Sequence, residues 1–381
     1  MNREILRLAI PNILSNISVP LLSSFDTALM GDLSGNHIAA VGLGSMAFNF
    51  IYWNFGFLRM GSTGLTAQAY GRKAQIDMAA VLGRAFIVAL VVAIILLLLQ
   101  WPVNLLTNEL LNIRGQQIGM VNTYFYIRIW AAPAALGLMA LFGWFFGMQN
   151  AIYPLILTLI INVVNMILSY YLVVSLGYGI AGAAWGTVVA QYLGLGVAIV
   201  LLFWRYSWVR PEMNSKVLFL KSELLAFLRI NGDIFLRTFL LTLGFTFFYN
   251  RANTISGVGI IAGNVILLQL VNWLSHGVDG FAFAAESLVG KYYGANQPKK
   301  LNQAIRLSFF WGGMLAIGYA VVYFFFAEPI IKIFADPNAA PMALQKALEY
   351  LPLLILFCLV AAPCYIYDGI FIGFPHSLSS C

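Results

Sequence analysis

The sequence predicts an all-α protein that crosses a membrane many times. Hydrophobic residues make up 61% of its 381 residues and charged residues 9%, whereas about 25% of a soluble domain is charged. Apolar runs long enough to cross a bilayer as helices recur along the whole length. A soluble barrel or sandwich is thereby excluded, and an outer-membrane β-barrel would instead show short segments of alternating hydrophobicity.

Breaks at glycine, proline, asparagine and clustered charges divide the chain into ten predicted spans. The spans are 6–30, 38–60, 79–101, 120–147, 152–175, 180–204, 228–250, 260–288, 304–326 and 346–372. Each of these segments is long enough to cross the hydrocarbon core as a helix.

The distribution of the 21 lysines and arginines predicts the orientation of these spans. The loops on one side contain only Arg114, Arg251, Lys332 and Lys346, while Arg59, Arg128 and Arg237 fall within or at the ends of spans. All the others lie on the opposite side. Because cytoplasmic loops carry the excess of positive charge, we expect both ends to be cytoplasmic and the membrane to be the inner, or plasma, membrane. Orientation also explains the net charge of +7 without a nucleic-acid partner.

Two pairs of segments indicate an internal repeat. "GRKAQIDMAAVLGRAF" (71–86) aligns with "GANQPKKLNQAIRLSF" (294–309) at an offset of 223 residues, and "GWFFGMQNA" (143–151) aligns with "GIFIGFPHS" (369–377) at an offset of 226. The repeat predicts two lobes built from equivalent helices.

The predicted domains follow from this repeat. They are an N-terminal lobe of six helices (1–204), a cytoplasmic loop between the lobes (205–228), an incomplete C-terminal lobe of four helices (229–373) and an aberrant tail (374–381). A copy of residues 152–204 is expected after Cys381, so the sequence predicts a C-terminally truncated chain.

No motif in the sequence predicts an enzyme. The chain contains no H-E-x-x-H, G-x-S-x-G or G-x-x-x-x-G-K-[ST], and its three cysteines lack metal-ligand or redox spacing. Without a P-loop, uphill transport requires an ion gradient or a partner. Twofold repeats that enclose a midplane site are typical of secondary transporters, so no cofactor is expected beyond a proton or sodium gradient.

Asp26 is the first candidate for ion coupling. It lies in an apolar segment with no basic residue within two turns, and Pro11 and Pro20 precede it in the same predicted helix. Each proline removes a backbone hydrogen bond, so the two positions are candidate hinges. Burial favours the neutral form of a carboxyl group, so proton uptake at Asp26 would change how the helix packs. The alternative is that Asp26 caps a neighbouring helix.

Other acidic residues are candidates for lining a substrate cavity. Asp279 and Glu286 are seven residues apart and share a helix face. They line a polar cavity, or they bond to each other and to Arg59 or Arg128. Asp368 lines the cavity or packs beside its neighbouring glycine.

Two further sequence features concern the remaining polar and aromatic side chains. Asp233 and Arg237 have the i,i+4 spacing of a structural ion pair. Aromatic residues and methionines in the second span suit an amphipathic or cationic guest, although lipid-facing aromatic residues and methionines in the core are the commoner explanation of such a pattern.

Five stretches carry a resemblance to a known family. They are "LAIPNILSNISVPLLSSFDTALMG", "LRMGSTGLTAQAYG", "DIFLRTFLL", "DGFAFAAESLVGKYYGA" and "CYIYDGIFIG". With these, the chain resembles the MATE (multidrug and toxic compound extrusion) family in its DinF-type branch. The resemblance implies twelve helices in two lobes around a central cavity, and a monomer that exports small amphipathic or cationic compounds across a lipid membrane in exchange for protons or sodium.

The resemblance also implies roles for individual residues. Asp26 would couple ion binding to substrate release, with Asn165, Ser169 and Thr187 beside it, and Asn162 would join the acidic residues that line the cavity. Ser169 stands where the family often has a second carboxylate. Because hard cations prefer several oxygen ligands, some of them charged, this replacement favours protons over sodium.

Two alternative functions remain open at the level of sequence. A flippase for lipid-linked substrates would need several basic groups for phosphate, and the spans offer only Arg59, Arg128 and Arg237. A nonfunctional truncated fragment is the other alternative, and the incomplete repeat is the argument for it.

Overall fold

The computed structural model describes residues 1–31, 35–111, 113, 115, 117–212, 218–255, 258–334 and 341–374, except for some side chains within these ranges. The helices are α1 (Asn2–Gly31), α2 (Gly35–Asn54), α3 (Phe57–Arg72), α4 (Gln75–Leu98), α5 (Gln100–Leu110), α6 (Gln117–Arg128), α7 (Ala132–Gly147), α8 (Ile152–Tyr170), α9 (Gly179–Arg205), α10 (Val209–Glu212), α11 (Lys221–Ile255), α12 (Val258–Gly294), α13 (Pro298–Phe334) and α14 (Pro341–Gly373). The predicted all-α class is confirmed.

Each predicted span overlaps one long helix or two helices in series. α2 and α3 together form the second span, and α6 and α7, joined by a short 3₁₀ turn (Ile129–Ala131), form the fourth. Among the described residues, seven helical segments are long and apolar enough to cross a membrane. α1, α11 and α12 contain 30, 35 and 37 residues and overlap the three other predicted spans.

The end of the predicted ninth span coincides with a break in α13. Phe326 has non-helical backbone angles there, with φ −121° and ψ 18°. Pro329 follows three residues later and lacks the N–H group that would continue the helical hydrogen bonds. The proline therefore explains why the regular helix is interrupted at this position.

The helix contacts reproduce the repeat that the sequence predicts. Gly143 lies so close to the carbonyl oxygen of Arg59 that an added methyl group would overlap it, and Gly369 has the same relation to Ala282. A methyl group on Gly147 would lie 2.9 Å from the Thr63 carbonyl oxygen, and one on Gly373 would lie 2.7 Å from that of Glu286. These contacts pack α7 on α3 and α14 on α12. They are related by the offsets of 223 and 226 residues.

A reciprocal pair of glycine contacts joins the two halves of the chain. Gly71 on α3 lies against the carbonyl oxygen of Lys291 on α12, and Gly294 on α12 lies against that of Gln68 on α3. In both cases an added methyl group would overlap backbone atoms. We refer to this contact, from Arg59 to Gly71 on one helix and from Glu286 to Gly294 on the other, as the α3–α12 interface.

Packing also crosses the predicted boundary between the lobes. Ile5, Leu8 and Ala9 of α1 are buried in one cluster with Phe281 and other residues of α12. Conversely, Phe227 and Ile234 of α11 belong to an apolar core whose other buried residues all come from the first half of the chain. The first helix of each half therefore contacts the other half.

Three polar contacts join helix ends that the predicted topology places on the cytoplasmic side. Glu4 contacts Lys291, Gln68 contacts Gly373, and Gln149 contacts Ser287. All six residues belong to helix ends predicted to be cytoplasmic. These ends therefore lie together at one end of the bundle.

Gly186 on α9 provides a test of the close packing against α8. A methyl group there would lie 2.5 Å from the Ser169 hydroxyl oxygen, whereas the same group on Gly196 of α9 would meet nothing within 4 Å. Gly186→Ala should lower the free energy of unfolding by about 1–3 kcal/mol through overpacking. Gly196→Ala should leave the unfolding temperature of the detergent-solubilised protein unchanged or raise it. Equal unfolding temperatures for the two variants would contradict the packing described.

Candidate functional site

Helix α1 carries the predicted coupling residue and both predicted hinges. The helix is continuous from Asn2 to Gly31 and includes Pro11 and Pro20. Asp26 belongs to this helix, but its side chain lies outside the part that the structure describes. Its role in ion coupling and those of the two prolines as hinges stay predictions.

Polar side chains join α1 to α8 on the N-terminal side of Asp26. The Ser15 hydroxyl donates to the Thr158 hydroxyl oxygen at 3.0 Å, and the Asn162 amide donates to the Ser18 hydroxyl oxygen at 3.1 Å. Asn162 is buried. Ser18 precedes Asp26 by eight residues, or about 12 Å along a helix. Asn162 therefore holds α1 at a point about two turns from Asp26.

Three predicted ion-coupling residues form one buried cluster between α8 and α9. The Asn165 amide donates to the Thr187 hydroxyl oxygen at 2.9 Å, and the Ser169 hydroxyl donates to the Asn165 side-chain oxygen at 3.2 Å. Thr187 in turn donates to the Ala183 carbonyl oxygen at 3.1 Å. The cluster satisfies its own hydrogen bonds and contains no charge, which makes it a poor ligand set for a hard cation.

Arg59 and Glu286 face each other across the α3–α12 interface. The Arg59 Nη1 atom lies 3.7 Å from the Glu286 Oε2 atom, and the Glu286 side chain is 1% exposed. The Arg59 guanidinium carbon lies 3.7 Å from the ring centroid of Phe283, which is a cation–π contact. Because removing one partner of a buried ion pair leaves an uncompensated charge, each residue stabilises the buried position of the other.

Asp279 lies on the same helix as Glu286, and it is partly buried. Near it, the Asn16 amide of α1 donates to the His276 carbonyl oxygen at 3.1 Å. The His276 ring nitrogen Nδ1 lies 2.6 Å from the Asn272 carbonyl oxygen. α1 therefore contacts the turn of α12 that precedes Asp279.

Arg237 has a different partner from the one that its spacing indicates. It forms an ion pair with Asp368 of α14, and both side chains are partly exposed. The predicted pairing of Arg237 with Asp233 is therefore wrong. An i,i+4 spacing places two residues on one helix face, but α14 brings a carboxylate closer to that guanidinium.

Two glutamines bridge the two halves near the α3–α12 interface. Gln68 donates to the Gly373 carbonyl oxygen at 3.0 Å, and Gln149 donates to the Ser287 hydroxyl oxygen at 2.7 Å. The Ser287 hydroxyl then donates to the Phe146 carbonyl oxygen at 2.6 Å. Sequence reasoning missed these residues. The sequence feature that could have identified them is the presence of a polar side chain within or next to the glycine-containing repeat segments.

Glu4 ties the start of α1 to the end of α12. Tyr292 donates to one of its carboxylate oxygens at 2.7 Å, and Lys291 donates to the other at 3.3 Å. Burial raises the pKa of Glu4, but the Tyr292 hydrogen bond and the Lys291 charge outweigh it and hold the pKa below its usual value of 4.5. The ionised contact thus persists at neutral pH and is lost as the pH falls through the lowered pKa.

The Arg59–Glu286 pair predicts a specific pattern of stability changes. Arg59→Gln should destabilise the protein by about 3–5 kcal/mol because it leaves a buried carboxylate unpaired. Adding Glu286→Gln should restore most of that loss, since the two neutral amides can hydrogen-bond. Thermal unfolding of the purified variants in one detergent measures both effects.

Arg72→Gln is the matched control for this prediction. Arg72 lies on the same helix and pairs with Asp77, and both side chains are about half exposed. Its loss should cost less than about 1 kcal/mol. Additive effects of Arg59→Gln and Glu286→Gln would contradict the coupling.

Comparison with known proteins places the chain among membrane transporters. The MatE family model matches residues 11–171 and 234–376. The DNA damage-inducible protein F of Escherichia coli K12 is 34% identical over 379 residues, which cover 98% of this chain and 80% of that protein. A probable multidrug resistance protein NorM of Thermotoga maritima is 24% identical over 350 residues, covering 89% and 73% of the two chains.

A solved structure has the same fold. It is the outward-facing conformation of a multidrug resistance MATE family transporter of the MOP superfamily, with a TM-score of 0.87 and 18% identity over 98% of this chain and 82% of that one.

Proposed function

The chain belongs to the MatE family of integral membrane transporters, and we propose that it is a secondary antiporter that exports amphipathic, cationic compounds in exchange for protons. Proteins of this family are transporters rather than enzymes. The NorM relatives carry the name of multidrug resistance proteins, which supports a broad range of small organic substrates for this chain.

The observation that carries the proposal is the α3–α12 interface. It joins the two halves through glycine contacts and hydrogen bonds around a buried ion pair. In a bilayer, small residues and polar bonds rather than hydrophobic burial drive helix association. Such an interface can separate without exposing a large apolar core to water, as alternating access between two repeats requires.

Arginine pairing supports a cationic over an anionic substrate. Arg59 and Arg237 each face a carboxylate, and Arg128 donates a hydrogen bond to the Tyr124 hydroxyl. A flippase would direct such groups at phosphate, whereas here their charges are compensated or engaged within the protein. Asp279, Glu286 and Asp368 remain the candidate carboxylates for the substrate cavity, together with Asn162 and Asp26.

Proton coupling is assigned to Asp26, with Asn165, Ser169 and Thr187 as its polar surroundings. The neutral character of that cluster supports protons over sodium as the driving ion. One proton that crosses a potential of 100 mV supplies about 2.3 kcal/mol. No cofactor is needed for this cycle, and we expect the protein to act as a monomer.

Asp26→Asn should abolish proton-linked efflux and leave membrane expression unchanged, because an amide neither releases nor takes up a proton. Substrate-induced alkalinisation or acidification inside pH-dye-loaded proteoliposomes measures the coupling. Asp77→Asn is the control, since Asp77 is an exposed carboxylate paired with Arg72. Coupling retained in Asp26→Asn would remove Asp26 from the mechanism.

In the proposed topology the protein lies in the inner membrane of the cell, and both ends of the chain are in the cytoplasm. Lys299 and Lys332 should then lie on opposite sides. Single Lys299→Cys and Lys332→Cys variants, made in a background without the three native cysteines, distinguish the orientations in intact cells. A membrane-impermeant maleimide should label only the second variant, and labelling of only the first would reverse the topology.

A further inference from the structure

We propose that Phe283 and Glu286 form a half-site for organic cations, and that Arg59 occupies this half-site as an internal competitor whenever the α3–α12 interface is closed. The proposal rests on the proposed function, because it names where an exported cation is held and what displaces it. Its ligand class is a cation with a flat or aromatic body.

Arg59 is already bound in the manner of such a ligand. Its guanidinium carbon lies 3.7 Å from the centroid of the Phe283 ring, and its Nη1 atom lies 3.7 Å from the Glu286 Oε2 atom. An aromatic face beside a carboxylate attracts cations both through the ring quadrupole and through the negative charge. The half-site therefore recognises positive charge spread over a flat group.

The occupant is held without hydrogen bonds. Within the described residues, the Arg59 Nη1 atom donates no hydrogen bond, and it lies 3.7 Å from the Glu286 Oε2 atom. A hydrogen-bonded guanidinium–carboxylate pair is closer, at about 2.7–2.9 Å. Charge and stacking thus hold Arg59 in place. Cations that lack N–H donors, such as quaternary ammonium or phosphonium ions, satisfy the same two requirements.

Each partner is fixed to its own half of the protein. The Arg59 backbone lies against Gly143 of α7, and the Glu286 backbone lies against Gly373 of α14. Neither glycine position leaves room for a side chain, so neither backbone can shift far within its half. Separation of α3 from α12 must therefore withdraw Arg59 from Phe283 and Glu286.

Withdrawal of Arg59 leaves Glu286 in need of a cation. A buried carboxylate without a partner is unfavourable, and an incoming organic cation compensates it. Return of Arg59 on closure of the α3–α12 interface then excludes that cation from the same space. Substrate and Arg59 are mutually exclusive occupants, and closure of the interface drives release.

Equilibrium binding of radiolabelled tetraphenylphosphonium to the purified full chain in detergent tests this competition. Glu286→Gln should weaken binding about tenfold, the equivalent of about 1.4 kcal/mol, and Phe283→Leu should weaken it severalfold. Arg59→Gln should tighten binding severalfold, because the competitor is gone. Arg72→Gln, which removes an exposed arginine from the same helix, should bind like the unmodified chain.

A double variant serves as the control for the loss of stability that is expected in Arg59→Gln. Arg59→Gln/Glu286→Gln removes both members of the buried pair, so it should elute as a folded protein and bind tetraphenylphosphonium as weakly as Glu286→Gln alone. Tight binding by the double variant would show that Glu286 is not the binding group and would overturn the proposal.

A reducible cross-link between the two halves tests the mutual exclusion directly. Gln149→Cys/Ser287→Cys, in a background lacking the native cysteines, replaces two side chains that are in hydrogen-bond contact. Because cysteine is shorter than glutamine, a short bis-methanethiosulfonate reagent joins the two thiols. The cross-linked protein should bind tetraphenylphosphonium at least severalfold more weakly, and reduction should restore binding. Equal affinities of the cross-linked and reduced forms would overturn the proposal.

The outcomes separate this inference from the proposed function. If the unmodified chain exports tetraphenylphosphonium from proteoliposomes but Arg59→Gln binds it no more tightly, the half-site is refuted and the exporter stands. If the unmodified chain neither binds nor exports the cation, the cationic substrate class fails and the half-site fails with it.

Discussion

The close approach of α3 and α12 is the constraint on which the arrangement of the two halves depends. Gly71 and Gly294 each lie against a carbonyl oxygen of the other helix. Because the two helices are so close, polar side chains of one half reach the backbone of the other, as Gln68 reaches the Gly373 carbonyl oxygen. The Arg59–Glu286 ion pair spans the same two helices, and the glutamine bridges and the Glu4 contact lie beside them.

The repeat is symmetric in its backbone contacts and asymmetric in its charges. At the offset of 223 residues, Arg59 corresponds to Ala282 and Thr63 corresponds to Glu286. Equivalent glycines on α7 and α14 contact the carbonyl oxygens of these four residues. The duplicated helices thus supply a common frame, while one half provides the guanidinium and the other the carboxylate. A single ion pair, rather than two symmetric ones, results.

Sequence reasoning predicted the features that follow from hydropathy and spacing. The long helices and the glycine-containing repeat agree with the structure because apolar length and residue offset are properties of the chain itself. Whether Glu286 faces Arg59 or Arg128 was left open, and the partner of Arg237 was predicted incorrectly. Both pairings depend on how helices from different parts of the chain dock, which spacing within one helix does not determine.

The reciprocity of Gly71 and Gly294 has a consequence for how this sequence can change over generations. Each glycine accommodates the backbone of the opposite helix near its counterpart, so a side chain at either position would overlap backbone atoms. A side chain gained at either one pushes the helices apart at both, and a glycine that is still present in the other repeat offers no compensation. Because the two copies of the motif dock against each other, a mutation that enlarges either glycine requires the opposite helix to move as well.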